Sequence, residues 1–216
     1  MTRSNGHDTT AIHNVTVIGT GVLGSQIAFQ TAYRGFAVTA YDISDEVLAR
    51  ARQALAGLAA RYELEVDGAA GGAAQQALAR ITCSADLADA VRDADLVIEA
   101  APEVLDLKRT IYTALGKVAP ARTIFATNSS TLLPSDIAGF TGRPDRFLAL
   151  HFANEIWVHN TAEIMGHPGT DPAVYRTVVA FARAIGMEPI ELRKEQPGYV
   201  LNSLLVPFLN AAQLLL

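Results

Sequence analysis

The sequence lacks several features that would assign it to a specialised class of protein. Cys83 is the only cysteine in 216 residues, so no internal disulfide can form, which favours a reducing compartment. The formal net charge is only −5, and no long block of Lys or Arg suggests a nucleic-acid or anionic-membrane surface. No apolar segment has the position of a signal peptide or the length of a membrane span. We therefore expect a cytoplasmic protein whose partner is a small molecule, with neither nucleic acid nor membrane as a partner.

Hydrophobic residues make up 50% of the chain, enough for a sizeable core. Short apolar runs alternate with segments of helical period, a pattern typical of an α/β protein with a doubly wound parallel sheet. The predicted strands are VTVIG, AVTAYD, DLVIEA, TIFATN, RFLALHF and TAEIMG. Two helical segments separated by DGAAGG at 67–72 predict a helical hairpin inserted before the third strand.

Composition also predicts the domain organisation. Residues 1–13 are expected to form a flexible leader, and residues 14–196 the sheet-containing domain. The segment KEQPGYV interrupts the pattern and precedes an apolar helix, which begins the second unit at 197–216. That helix ends on three leucines, and an exposed apolar terminus is unusual. We therefore expect the natural chain to continue beyond Leu216.

The run TVIGTGVLGS contains three glycines with the spacing G-x-G-x-x-G, namely Gly19, Gly21 and Gly24. By itself this motif is weak evidence, since glycines are common in turns. Here it follows a strand and opens a helix, where such glycines allow a tight turn, a close approach of pyrophosphate and close helix packing. Val22 and Leu23, in the first turn, would offer backbone N–H donors to the phosphates. The sequence therefore predicts a Rossmann-type dinucleotide site.

Asp42 ends the second predicted strand, 18 positions after Gly24. An acidic residue at about this offset hydrogen-bonds the adenosine ribose hydroxyls and disfavours a 2′-phosphate. We therefore expect NAD rather than NADP as the cofactor. A plain glycine turn with a solvated Asp42 is the alternative.

Polar residues near later strand ends form a candidate catalytic set. His151 follows an apolar strand, Glu163 lies on its predicted neighbour, and both Ser130 (in NSST) and Asn202 lie elsewhere in the chain. Ligands bind beyond the carboxyl edge of such sheets, and histidine is suited to proton transfer near neutral pH. On chemistry alone, satisfied polar groups remain an equally good interpretation of these four residues.

The sequence resembles the L-3-hydroxyacyl-CoA dehydrogenase family. The resemblance is carried by VIGTGVLGSQIA, YDIS, VIEAAPEVLDLK, FATNSSTL, RFLALHF, Glu163 and QPGYVLNSLLVPFLNAA. It implies that His151 is the catalytic base with Glu163 as its partner, and that Ser130 and Asn202 hydrogen-bond the substrate. The same resemblance implies three further cofactor-binding residues. Glu103 and Lys108 would lie along the nicotinamide ribose side of the NAD site, and Asn128 would support the pocket beside it.

The resemblance also implies an activity and an assembly. The activity is the reversible NAD-dependent oxidation of an L-3-hydroxyacyl-CoA to a 3-ketoacyl-CoA, as in fatty-acid β-oxidation. The implied fold is a Rossmann-type sheet domain followed by an all-helical C-terminal domain that forms a homodimer. Residues 197–216 would be the first helix of that domain.

One segment departs from the family pattern. The family has H-F-x-N-P after the catalytic histidine, whereas this chain has HFANEIW, with Glu155 in place of proline. The altered loop leaves open a dehydrogenase of a free hydroxy acid, such as a sugar acid or carnitine. A second alternative, favoured if the pocket is incomplete, is a non-catalytic, crystallin-like NAD-binding protein. No metal site is expected, since His7, His13, His159 and His167 lack ligand partners at suitable spacing.

Overall fold

The computed structural model describes residues 12–215; His7 and most of the predicted leader lie outside this range. Eight strands form one sheet in the order β3-β2-β1-β4-β5-β6-β7-β8. Their bounds are β1 (Asn14–Ile18), β2 (Ala37–Tyr41), β3 (Ile81–Ser84), β4 (Leu96–Glu99), β5 (Ile124–Thr127), β6 (Phe147–Phe152), β7 (Thr161–Met165) and β8 (Glu188–Leu192). The order reverses after β1, as expected of a doubly wound sheet.

Helices cover both faces of this sheet. They are α1 (Val22–Tyr33), α2 (Asp45–Glu65), α3 (Ala73–Ala79), α4 (Leu87–Val91), α5 (Leu105–Val118), α6 (Pro134–Ala138), α7 (Pro172–Ala184) and α8 (Leu201–Gln213), with a 3₁₀ turn at Pro144–Arg146. Because side chains alternate along a strand, Val15 and Val17 of β1 pack into the core under α1, α2, α3 and α7. Ile18 instead packs into the second core, under α5 and α6. The predicted fold class, including the inserted hairpin α2–α3, is confirmed.

One strand pair departs from the parallel pattern. β7 runs antiparallel to β6, while every other neighbouring pair is parallel. Only residues 153–160 join β6 to β7, and a parallel crossover needs a dozen or more residues. The short loop therefore reverses the chain, and the antiparallel register places His151 directly opposite Glu163.

Two helices begin at residues that the sequence itself predicts as N-caps, namely Ser44 before the acidic pair Asp45–Glu46 and Asp171 before Pro172. The Ser44 hydroxyl accepts a hydrogen bond from the Val47 N–H and caps α2, and the Asp171 carboxylate accepts one from the Ala173 N–H at the start of α7. Such caps satisfy N–H groups that a helix cannot pair internally. Within residues 12–215, none of the helices has both the length and the apolar character needed to cross a bilayer.

Candidate active site

The glycine turn between β1 and α1 leaves no room for side chains at two of its positions. Gly19 has a positive φ of 91°, and a Cβ there would lie 2.9 Å from the Ala100 carbonyl oxygen. A Cβ on Gly24 would lie 1.9 Å from the Gly19 carbonyl oxygen. The first glycine therefore permits the turn and the third permits the close packing of α1 on it, as a dinucleotide-binding turn requires.

Gly21, the second glycine, faces open space. No atom lies within 4 Å of the position that its Cβ would occupy, and no side chain caps the N-terminus of α1 at this residue. Uncapped N–H groups at a helix N-terminus favour an anion, so the turn fits a pyrophosphate. Val22 lies exposed beside it on the cleft, whereas the side chain of Leu23 packs against the core.

A cleft of about 1340 Å³ opens along this turn. It passes between α2 and α5, with Asp42 and Ile43 at the end of β2 on its wall. One oxygen of Asp42 accepts hydrogen bonds from the backbone N–H and the hydroxyl of Thr20, both at 2.8 Å. These contacts hold the carboxylate at the rim, where an adenosine ribose would lie.

His151 and Glu163 form a buried hydrogen-bonded pair at the carboxyl end of β6. The imidazole Nδ1 lies 2.8 Å from Glu163 Oε2, and the Ser130 hydroxyl lies 3.2 Å from the imidazole Nε2. A carboxylate at Nδ1 holds the proton on that nitrogen, so Nε2 can accept a proton from another group. The structure thus brings together three of the four residues of the predicted catalytic set.

Both oxygens of Glu163 are occupied. Oε1 accepts hydrogen bonds from the backbone N–H groups of Val200 and Leu201 at 2.7 and 2.9 Å, while Oε2 contacts His151. Burial by itself raises the pKa of Glu163, but the hydrogen bonds from His151, Leu201 and Val200 outweigh it and lower the pKa. The carboxyl group is therefore held ionised and can balance an imidazolium charge.

The fourth residue of the predicted set, Asn202, does not join this pair. It lies in the first turn of α8, and within the described part of the chain it makes no hydrogen bond to His151 or Ser130.

Asn128 connects the ends of β5 and β6. Its side-chain oxygen accepts a hydrogen bond from the Phe152 N–H at 2.9 Å.

Glu103 anchors the loop that carries Ser130. Its Oε1 accepts hydrogen bonds from the backbone N–H groups of Ser130 and Thr131 at 3.0 and 2.9 Å, and also from the Ser129 hydroxyl. Burial opposes ionisation, but the bonds from Ser129 and Thr131 and the charge of Lys108 lower the pKa of Glu103 to about 2. The loop is thereby fixed against His151.

Lys108 belongs to a buried charge network whose other buried member, Glu99, was not predicted from the sequence. Its ammonium group lies 2.7 Å from Glu99 Oε1 and 3.5 Å from Glu103 Oε2, and Lys108 and Glu99 are both almost completely buried. Glu99 also accepts hydrogen bonds from the Ala101 N–H and the Thr127 hydroxyl. The sequence did contain a signal for this network, namely the carboxylate of Glu99 inside the apolar strand DLVIEA. Charged residues are seldom buried without a partner, so a buried Glu99 implies a nearby cation.

The loop that departs from the family pattern has a backbone that proline cannot adopt. Glu155 has a positive φ of 57°, while proline fixes φ near −65°, and its N–H donates a hydrogen bond to the Gln26 side chain at 2.8 Å. The Arg61 guanidinium pairs with both Glu155 and Glu65 and lies over the Trp157 ring. These contacts join the loop to α2.

Within residues 12–215, no three His, Cys, Asp or Glu side chains are grouped closely enough to hold a metal ion. His167 is engaged elsewhere, with its Nε2 lying 2.8 Å from the Pro144 carbonyl oxygen.

The sheet order, the glycine turn and the cleft together define a Rossmann-type dinucleotide-binding domain. Residues 14–196 match the family model of the 3-hydroxyacyl-CoA dehydrogenase NAD binding domain. The chain therefore belongs to the 3-hydroxyacyl-CoA dehydrogenase family, and this domain binds NAD.

Three relatives illustrate the range of this family. The mitochondrial hydroxyacyl-coenzyme A dehydrogenase of Rattus norvegicus is 36% identical over 205 residues, covering 93% of this chain and 65% of the relative. The L-carnitine dehydrogenase of Streptomyces griseus is 34% identical, covering 89% of this chain and 56% of the relative. A solved structure concerning the catalysis of dicarbonyl compounds by diketoreductase is 71% identical, with a TM-score of 0.92, covering 94% of this chain and 71% of the other. The chain thus spans about two thirds or less of the length of these curated relatives.

Proposed function

We propose that the protein catalyses the reversible NAD-dependent oxidation of a 3-hydroxy compound to the corresponding 3-keto compound. The observation that carries this proposal is the His151–Glu163 pair, with Nδ1 and Oε2 separated by 2.8 Å. It lies at the carboxyl edge of the sheet, where the NAD cleft also opens. A general base at the ligand-binding edge of the sheet is suited to proton transfer beside a bound nicotinamide.

The chain's own residues would transfer the proton of the substrate hydroxyl and stabilise the charge that this transfer creates. When bound, NAD would act as the hydride acceptor in the oxidation, and NADH as the hydride donor in the reverse direction. In the oxidation, His151 Nε2 takes the proton of the substrate hydroxyl, and Glu163 balances the resulting imidazolium charge. The Ser130 hydroxyl, 3.2 Å from Nε2, would donate a hydrogen bond to the reacting oxygen. In the reduction, His151 returns the proton.

Replacement of the base tests this proposal. We expect His151→Gln to leave NADH binding intact, as followed by NADH fluorescence, and to lower turnover about 100-fold or more, since general acid–base catalysis contributes 10²–10⁴-fold. The matched control is His159→Gln, because His159 is exposed and has no place in the pair. Near-normal turnover of His151→Gln would refute the assignment.

Three substrate classes are candidates for this reaction. The family resemblance favours an L-3-hydroxyacyl-CoA, which would place the enzyme in fatty-acid β-oxidation in the cytoplasm. The 71% identity to a diketoreductase favours a free dicarbonyl compound, and we propose this class as the preferred substrate because the other identities are about half as high. The carnitine-like alternative has the weaker support of 34% identity.

A substrate comparison separates these classes. NADH oxidation at constant enzyme concentration is followed with acetoacetyl-CoA, with ethyl acetoacetate and with free acetoacetate. A preference for the uncharged dicarbonyl compound supports the diketoreductase-like activity, whereas turnover of the thioester alone supports the acyl-CoA activity. NADH binding without turnover of any ketone would favour the non-catalytic alternative.

We further propose that residues 14–196 form the NAD-binding domain and that α8 begins a helical unit through which two copies associate. The exposure of Leu204, Leu205 and Phe208 on α8 supports this division, because large apolar side chains in a row are usually covered by another surface. Sedimentation analysis of the full chain tests it, with a dimer as the expected result.

A further inference from the structure

The segment immediately before α8 has an unusual backbone. Gly198 and Tyr199 both have positive φ values, 76° and 53°. Glycine adopts this left-handed conformation readily, but for a bulky residue it is a true outlier. Strained residues of this kind cluster at functional sites, where the surrounding structure holds them in place.

The turn determines where the N-terminus of α8 points. No side chain from within α8 or its flanking residue Val200 caps this helix. Glu163, from β7, takes that place, because its Oε1 accepts hydrogen bonds from the N–H groups of Val200 and Leu201. The carboxylate that holds His151 Nδ1 is therefore itself held by the two residues that follow the turn.

The Tyr199 side chain contacts the other member of the pair. Its ring lies 4.9 Å from the His151 ring, centroid to centroid, with an angle of 33° between the planes, and the residue is 1% exposed. Its hydroxyl is buried and has no hydrogen-bond partner within the described residues. The ring thus packs against the imidazole while the hydroxyl makes no polar contact.

We propose that the left-handed turn Gly198–Tyr199 positions the catalytic pair, the Tyr199 ring holding the plane of the His151 imidazole and the turn aiming two N–H groups at Glu163. This inference rests on the function proposed above for His151. Tyr199 acts through His151 and Glu163 and not on the substrate. Displacement of the turn would loosen the carboxylate and the imidazole together.

Two pairs of variants test the proposal on the full chain. Tyr199→Leu removes the ring, and its control Tyr199→Phe removes only the unpartnered hydroxyl. Gly198→Ala strains the left-handed turn through its φ of 76° and causes no clash, because a Cβ there meets nothing closer than 3.5 Å. Its control is Gly68→Ala, which carries the same backbone strain at a φ of 79° with nothing within 4 Å of the Cβ, in the loop between α2 and α3.

Three readouts are needed. The low-field proton resonance of the imidazole Nδ1–H, assigned by its loss in His151→Gln, reports the contact with Glu163 without requiring turnover. Steady-state kinetics separate kcat from the KM for NADH. Thermal unfolding measures the purely structural cost of each substitution.

We expect Tyr199→Leu and Gly198→Ala to broaden or lose this resonance and to lower kcat about tenfold, part of the 10²–10⁴-fold that a positioned base contributes. The KM for NADH should change less than about twofold, because the NAD cleft is unaltered. Tyr199→Phe and Gly68→Ala should keep both the resonance and kcat.

The proposal is overturned if Tyr199→Leu and Gly198→Ala keep the resonance and kcat, with losses only in thermal stability that match those of Gly68→Ala. Failure of the proposed function has a different signature, namely normal turnover of His151→Gln. In that case the resonance still decides whether the turn holds the pair. If Tyr199→Leu does not fold, Gly198→Ala decides the outcome.

Discussion

The buried pair of Glu99 and Lys108 allows a quantitative prediction about stability. Both side chains are almost completely removed from solvent, and their charged groups are 2.7 Å apart. Glu99→Gln keeps the shape of the side chain and removes its charge, so the Lys108 ammonium is left buried without its nearest counter-charge. Removal of one partner of a buried pair typically costs about 3–5 kcal/mol.

The structure places this variant near the lower end of that range. Glu103 Oε2 remains 3.5 Å from the Lys108 ammonium and compensates for part of the lost attraction. The new amide can hydrogen-bond the Thr127 hydroxyl, which contacts Glu99 Oε2 at 2.7 Å. We therefore expect a loss of about 3 kcal/mol in the free energy of unfolding. In the double variant Glu99→Gln/Lys108→Met no fully buried charge is left unpaired. Glu103 also loses Lys108, but it is partly exposed and keeps its hydrogen bonds from Ser129 and Thr131. We therefore expect recovery of at least about 2 kcal/mol.

Urea unfolding measures these free energies, with the fluorescence of Trp157, the single tryptophan, as the signal. The control is Glu191→Gln, which breaks the exposed pair between Arg183 and Glu191 and should cost less than about 1 kcal/mol. The reasoning is refuted if Glu99→Gln costs no more than this control. It also fails if the effects of Glu99→Gln and Lys108→Met add in the double variant.

Three further predictions concern cofactor choice, acid stability and the loop after β6. Asp42→Asn removes the charge that repels a 2′-phosphate, so the ratio of kcat/KM for NADH to that for NADPH should fall at least about tenfold; an unchanged ratio would contradict the role of Asp42. Folding lowers the pKa of Glu103 from 4.5 to about 2, so its stabilising contribution is present above pH 4.5 and is lost as the pH falls towards 2. Urea midpoints of Glu103→Gln should therefore depend less on pH in this window than those of the parent protein, and equal slopes would argue against the prediction. Glu155→Pro cannot adopt the φ of 57° and should lose about 3 kcal/mol or more in urea unfolding, whereas Glu155→Gly, which tolerates that φ, should lose much less.

Much of the fold could be predicted because its signals are local. Strand and helix periods, the Ser44 cap and the glycine spacing each depend on residues close together in the chain. The spacing of Gly19 and Gly24 predicted a tight turn, and the structure shows why no side chain fits at either position. Four short elements were not predicted, since segments of four or five residues carry almost no periodic signal. They are the strands β3 and β8 and the helices α4 and α6.

The candidate site was predictable in part. The sequence indicated that His151 lies at a strand end and Glu163 on the neighbouring strand, while Ser130 was a candidate from another part of the chain. The structure brings these three together, although their catalytic roles remain a proposal. Asn202 was a member of the candidate set and took its role in substrate binding from the resemblance, but in the structure it makes no hydrogen bond to the pair. Glu99 and Tyr199 were missed because their environments depend on elements far apart in sequence.

The sequence by itself determined the class of the protein: an alternation of strands and helices with a glycine turn specifies a Rossmann-type sheet, because backbone sterics and hydrophobic period act locally. Tertiary structure alone decided which groups meet at the sheet edge. The antiparallel register of β6 and β7 sets His151 opposite Glu163, and the left-handed turn before α8 brings two N–H groups to the same carboxylate. Such contacts join residues 12 and 37 positions apart, so they depend on how the elements pack, which no local pattern encodes.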